Sequence, residues 1–152
     1  MRTWQDAYAH VFPPAQLARQ SVNQRTESWR GFLSGDRERR ATFVAARAGE
    51  IIGFADVGPS RDPDTSAATA ELYAMYVLAS EWGRGAGPAL MDASLEALRA
   101  LSFREAILWV LDDNPRARRF YERAGWSLDG ATKLDRHFGV EVPEVRYRTN
   151  LA

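Results

Sequence analysis

Eight residues, Trp82 to Ala89 (Trp-Gly-Arg-Gly-Ala-Gly-Pro-Ala), restrict this chain more than any other segment. They follow an apolar run from Ala70 to about Leu78. They precede a stretch in which Leu90, Met91, Leu95, Leu98 and Leu101 recur at helical spacing. The order is strand, glycine-dense turn, helix. Glycine accepts positive φ and lets a ligand reach the backbone with no Cβ in the way. Pro88 suits a first helical turn, where a missing N–H costs nothing. The helix start behind the glycines presents unpaired N–H groups and a partial positive charge, a cradle for phosphate oxygens. Taken alone, the loop also fits a glycine-rich connection that holds no ligand.

Spacing separates the phosphate binders that use this device. A P-loop needs Gly-Lys-Ser/Thr, but Gly87 is followed by Pro88-Ala89. A dinucleotide fingerprint needs G-x-G-x-x-G. Counting from Gly83 the sixth position is Pro88, and from Gly85 it is Leu90, so both registers fail. What remains is the closely spaced G-x-G-x-G of a coenzyme A pyrophosphate loop.

The rest of the chain supplies context. Trp4, Tyr8 and Val11 recur at helical spacing before Pro13-Pro14. Further helices are expected at Ala15 to Arg19 and at about Gln24 to Leu33. Thr42–Ala45 and Ile51–Ala55 read as a β-hairpin, and Gly58 to Thr69 as a surface loop. Ala106 to Leu111 is a continuous apolar strand, suggesting burial on both faces. Asn114-Pro115 caps a helix that ends at Ala124, with Gly125 as its left-handed stop. Trp126–Leu128 and Glu144–Thr149 are the last strand candidates, with Lys133–Gly139 read as irregular between them. At 152 residues with no internal boundary, residues 1–152 are expected to form a single domain.

Glu71-Leu72-Tyr73-Ala74-Met75-Tyr76-Val77, the Trp82–Ala89 loop and the segment Asn114 to Trp126, in this order, resemble the GNAT superfamily of acetyl-CoA-dependent N-acetyltransferases. The resemblance runs from the Thr42 hairpin to the final strand. It implies an α/β (α+β) fold, a mixed and mostly antiparallel sheet flanked by helices. It also implies that the loop amides of Arg84, Gly85, Ala86, Gly87 and Ala89 surround the coenzyme pyrophosphate, with Pro88 among them but unable to donate. The strand end Tyr76, Val77 and Leu78 would offer main-chain bonds to the pantetheine arm, Asn114 would bond the cofactor, and Tyr121 would protonate the departing thiolate. Amine attack on a thioester must shed a proton and the sulfur must gain one. Glu71, six residues before Val77, is a candidate to take the amine proton directly or through water; an ordinary strand-end charge is the equal alternative. The Val77 N–H is a candidate for steadying the oxyanion.

Two departures from the family pattern stand out. Trp82 occupies a position usually held by Gln or Arg, so no charge-assisted bond to phosphate can come from it. No β-branched run precedes Trp4, so either the true start lies elsewhere or the first edge strand is missing. In the latter case the Thr42–Ala46 strand is an edge or is covered by a partner. Arg116, Arg118, Arg119 and Arg123 read mostly as a solvated helix face, and Asp112-Asp113 as a polar strand end. His10 and His137 have no companions for a metal site, and none is expected.

With Lys+Arg and Asp+Glu both 20, the chain lacks the charge footprint of a nucleic-acid binder, and with no cysteine it forms no acyl-thioester intermediate. No apolar run approaches membrane-spanning length, and a cytoplasmic protein is expected. The expected activity is acetyl transfer to a primary amine, on a small molecule or a protein, in a ternary complex. The alternative is a non-catalytic acyl-CoA sensor. A homodimer is plausible on the resemblance alone, with no interface assigned.

Overall fold

The computed structural model describes residues 22–35, 38–137 and 140–152. The expected helices at Trp4–Val11 and Ala15–Arg19, the question of a first strand, and the His10 and His137 side chains lie outside the described residues.

The chain begins here with helix α1 (Val22–Ser34), followed by strands β1 (Ala41–Arg47), β2 (Glu50–Pro59) and β3 (Thr69–Val77). A single 3₁₀ turn (Ala79–Glu81) leads to helix α2 (Ala86–Ala100). Strand β4 (Glu105–Leu111), helix α3 (Pro115–Arg123), and strands β5 (Ser127–His137) and β6 (Val140–Asn150) complete the order. The strands form one six-stranded sheet in the order β1-β2-β3-β4-β6-β5, antiparallel everywhere except between β3 and β4. This is the mixed, mostly antiparallel sheet expected from the sequence.

The β1–β2 hairpin closes on Ala48 and Gly49, both at positive φ (51° and 83°), the geometry that matches the twist of the flanking strands. Leu90, Met91 and Leu98 of α2 bury their side chains against Ala55 and Val57 of β2 and Leu72 of β3. Each such side chain contributes about 1.5–3 kcal/mol. The opposite face of β2 carries α1, through Trp29 edge-on to Phe54 at 5.1 Å and Phe54 against Tyr76 at 5.6 Å.

One expectation fails. Lys133–His137 is not irregular: β5 continues to His137, paired with β6 from Lys133↔Glu144 to His137↔Val140, while Phe138 and Gly139 lie outside the described residues. The register slips between Leu128 and Thr132, where Gly130 takes φ 91°. That bulge, together with charges on both faces, erases the apolar–polar alternation by which a strand is recognised.

Candidate active site

The site begins where the sheet comes apart. β3 and β4 pair only at Thr69↔Glu105, Ala70↔Ala106 and Glu71↔Ile107. Beyond Glu71 the two strands diverge, and a cavity of about 1560 Å³ opens between them. It is lined by the free stretch of β3, the glycine loop, the start of α2, the end of β4 and the inner face of α3.

Which backbone groups of β3 face this cavity follows from its register with β2. The Leu78 amide donates to Ile52 O at 2.8 Å, so Leu78 bonds toward β2. Alternation along an antiparallel pair turns Tyr76 the same way and Val77 the other way, into the cleft. The expectation for the strand end is corrected accordingly. Leu78 has no group to spare, since its carbonyl accepts from the Glu81 amide at 2.9 Å, and the Tyr76 amide belongs to the ladder. Val77 alone of the three offers its N–H to the cleft. Its carbonyl also faces that way, but Trp82 Nε1 donates to it at 2.9 Å. The Arg116 guanidinium of α3 stacks on the Trp82 ring, so the two side chains bridge the mouth of the cleft. Burial shifts Arg116 below its ordinary pKa.

The glycine loop has the form its composition requires. Gly83 and Gly85 take φ of 71° and 92°, conformations that a side chain would strain, and Gly85 caps α2. Gly87 is small for a different reason: a Cβ there would lie 3.2 Å from Phe120 Cε2, so its absence lets α3 close on α2. Ala86 and Gly87, the first two helical residues, have no intrahelical acceptor for their amides, and the Ala89 amide is already bonded to Gly85 O at 3.1 Å. Among the described residues the amides of Gly83, Arg84 and Gly85 have no protein acceptor either. The loop is held from outside by Arg47, whose Nε pairs with Glu81 at 2.9 Å and whose Nη2 donates to Arg84 O at 3.2 Å. The Arg84 guanidinium is itself paired with Glu81 at 3.1 Å. A ring of donors without acceptors at a helix mouth fits a diphosphate.

Across the cleft, α3 is fixed at both ends. Asn114 Oδ1 accepts from the Ala117 amide at 3.1 Å, an N-cap followed by Pro115 at the first helical position. The side-chain amide nitrogen remains to donate into the cavity that Asn114 lines. At the far end Gly125 turns left-handed (φ 87°), and the Trp126 amide bonds back to Tyr121 O at 3.0 Å. Tyr121 therefore sits at a fixed point of the helix end, its ring 6.4 Å from Trp126 and 6.3 Å from Tyr147, and it lines the cavity. The fully buried Tyr147 is raised above its ordinary pKa by burial and by donating to Glu122 at 2.6 Å.

Three of the four helix arginines, Arg116, Arg119 and Arg123, are exposed, the solvated face expected. Arg118 turns away, donating to Asp112 Oδ1 at 2.5 Å and to Tyr147 OH at 3.1 Å, whereas Arg116, Arg119 and Arg123 line the cleft.

The other end of the cavity holds Glu71, 3% exposed. It is not a free carboxylate. Oε2 accepts from the Arg61 amide at 3.0 Å and from Arg61 Nε at 3.1 Å, and Oε1 from Arg61 Nη2 at 2.5 Å. That bond with Glu71 raises Arg61 above its ordinary value. Three of about four lone-pair positions are filled, leaving one on Oε1. Sequence reasoning missed Arg61, Trp109 and Lys133, which share this end. Trp109 interrupts the apolar run of β4: its Nε1 donates to Asp62 Oδ2 at 2.9 Å, and Lys133 lies 4.2 Å from its ring. An indole within an otherwise aliphatic strand was the available signal. No cluster of His, Asp or Glu suited to a metal occurs among the described residues, and none of their helices is long and apolar enough to cross a membrane.

Comparison with known proteins bears on this arrangement. The pattern of the acetyltransferase (GNAT) family matches residues 2–126. The N-acetyltransferase YuaI of Bacillus subtilis, itself uncharacterized, is 30% identical over 114 residues, which is 74% of this chain and 62% of the relative. The chain thus spans about 62% of the length of that curated relative. Among solved structures, an N-acetyltransferase of Staphylococcus aureus superposes with a TM-score of 0.74 at 20% identity, covering 99% of this chain and 89% of the other. The protein yncA of Salmonella typhimurium, solved with its cofactor acetyl-CoA, superposes at 0.68 with 19% identity, covering 88% and 76%. Both structures share the fold.

Proposed function

The chain belongs to the acetyltransferase (GNAT) family, and from that premise we propose that it moves an acetyl group from acetyl-CoA to a primary amine by direct attack within a ternary complex. One observation carries the reading. The Val77 N–H, the acceptor-free amides of the glycine loop and Tyr121 all face one cleft, which exists because β3 leaves β4 after three residue pairs.

Acetyl-CoA, when bound, supplies an activated acyl carbon and a thiolate leaving group. The chain supplies the rest. The amides of Arg84, Gly85, Ala86 and Gly87, with the α2 dipole behind them, hold the diphosphate, and Arg116, Arg119 and Arg123 add charge along the opposite wall. The Asn114 side-chain amide donates to the amide-bearing arm. The Val77 N–H faces the cleft, where it would donate to the thioester carbonyl oxygen as negative charge grows there. Glu71 accepts the amine proton at the open position on Oε1, directly or through a water. Tyr121 donates its phenolic proton to the sulfur and recovers one from solvent, and Glu71 releases the amine proton to solvent, so the site ends as it began.

The test is release of free thiol from acetyl-CoA in the presence of a panel of primary amines. Tyr121→Phe is expected to lower kcat about 100-fold with coenzyme affinity, read by calorimetry, unchanged. Coenzyme binding with no thiol release for any amine, and with Tyr121→Phe indistinguishable from the parent, would favour the sensor.

A further inference from the structure

Lys133 is the single lysine among the 20 basic side chains of this sequence, the others all being arginine. A guanidinium keeps its proton and accepts no acyl group, whereas a lysine amine that has lost its proton is a nucleophile. The chain therefore carries one side-chain primary amine, and that amine lines the cleft where β3 leaves β4. Register explains its place. Lys133 pairs with Glu144, and Glu144 with Leu111, so the three lie in a row on one face of the sheet. Trp109, two residues back along β4, shares that face. The lysine side chain crosses β6 to reach it: Nζ lies 4.2 Å from the Trp109 ring and 3.4 Å from Glu144 Oε2. Trp109 stands about 7 Å past Ile107, the last residue of β4 paired with β3. The ammonium thus sits over the strand that borders the opening, just beyond the seam. On the other side Met75 and Val77 turn their N–H groups into the same cleft. The Lys133 side chain is 39% exposed and its ion pair is long, so the contact orients the amine without locking it.

We propose that Lys133 is an internal acceptor, acetylated by the chain's own site. The inference rests on the acetyl-transfer reading above. The Lys133 ammonium passes one proton to the Glu144 carboxylate beside it. The freed electron pair attacks the thioester carbon and a C–N bond forms. The C–S bond breaks, its electron pair goes to sulfur, and sulfur takes the Tyr121 proton. The nitrogen gives its second proton through water to the Tyr121 phenolate, and Glu144 releases the first to solvent. The products are an amide at Lys133 and the coenzyme thiol. That amide is uncharged, so the modified cleft no longer holds a cation beside Glu144 and Trp109.

A single lysine makes the test direct. Incubated with acetyl-CoA and no added amine, the full chain is expected to gain one acetyl group by intact mass. Cleavage after arginine should locate it in the fragment 124–136, which contains no other lysine. The rate per molecule should be unchanged by dilution, as for an acceptor held beside the site. Lys133→Arg keeps the charge and is expected to show no gain in that segment, and Tyr121→Phe is expected to slow the gain about 100-fold. Label confined to the terminal amine, a rate proportional to protein concentration, or equal labelling of Tyr121→Phe or of the urea-unfolded chain would each overturn the proposal. Thiol release with the amine panel keeps the two readings apart. Turnover of an added amine by a chain that never labels Lys133 overturns self-acetylation alone, whereas neither label nor turnover removes both.

Discussion

Trp82 shows how one side chain can spend a group the site needs. Its indole fills the Val77 carbonyl, the outward acceptor at the strand end, and its ring carries Arg116. A ligand that bonds to that carbonyl must share it with the indole, on the second lone pair. Trp82→Phe keeps a ring for Arg116 but removes the donor, and is expected to tighten coenzyme A binding by about two- to tenfold, the worth of one hydrogen bond, measured by calorimetry. Binding to the parent chain should also change indole fluorescence, a signal that Trp82→Phe reduces, Trp109 being another indole that lines the cleft. Residues of this kind divide sharply in legibility. Tyr121, Asn114 and the glycines lie in a contiguous pattern, so their places were readable. The grip of Arg61 on Glu71 was not, because the partner sits ten positions away in a loop whose path only the folded sheet defines. The same holds for Leu78, whose amide is lost to Ile52 through a register that no local pattern announces.

Among the elements, the loop of residues 60–68 is tied to the far half of the sheet by a buried cation. Arg146, 5% exposed, pairs with Asp62 at 2.8 Å, with both oxygens of Asp64 at 2.7 Å and with Asp129 at 2.7 Å. Arg146→Met leaves three carboxylates facing one another and is expected to cost about 3 kcal/mol, read by denaturant unfolding. The same cluster sets an acid limit. The Arg146 guanidinium holds Asp64 below its ordinary 3.8, and Thr69 with Arg148 holds Glu105 below its ordinary 4.5. Both folded values lie below the unfolded ones, so the unfolded chain binds more protons as pH falls. The stability these groups give is complete above about pH 5 and is lost as pH descends through the folded values. Melting temperature should fall steeply below about pH 4, and less steeply in Arg146→Met. Element type was readable wherever apolar residues were periodic, as in α2 and β3. In β5 charges on both faces and the Gly130 bulge concealed the strand, and the Arg146 cluster, drawn from three separate segments, left no local trace.

At the scale of the molecule, strand order was not readable from periodicity, because nothing local says that β6 lies between β4 and β5. The parallel seam has a mechanical corollary. β1, β2, β3 and α2 form one leaf and β4, β6, β5 and α3 the other, joined along three residue pairs and by the Arg146 cluster at one end, by a shared apolar core beneath α2, and at the cleft mouth by Phe120 against Gly87 and Arg116 on Trp82. A molecule lodged between the leaves acts as a wedge that joins them where the strands themselves do not pair. Coenzyme A at about 100 times its Kd should stabilise the fold by about 2.7 kcal/mol, seen as a higher Tm. Amide exchange should slow most at Val77 and along the upper half of β4, farthest from the three pairs of the seam, where the leaves otherwise stand apart.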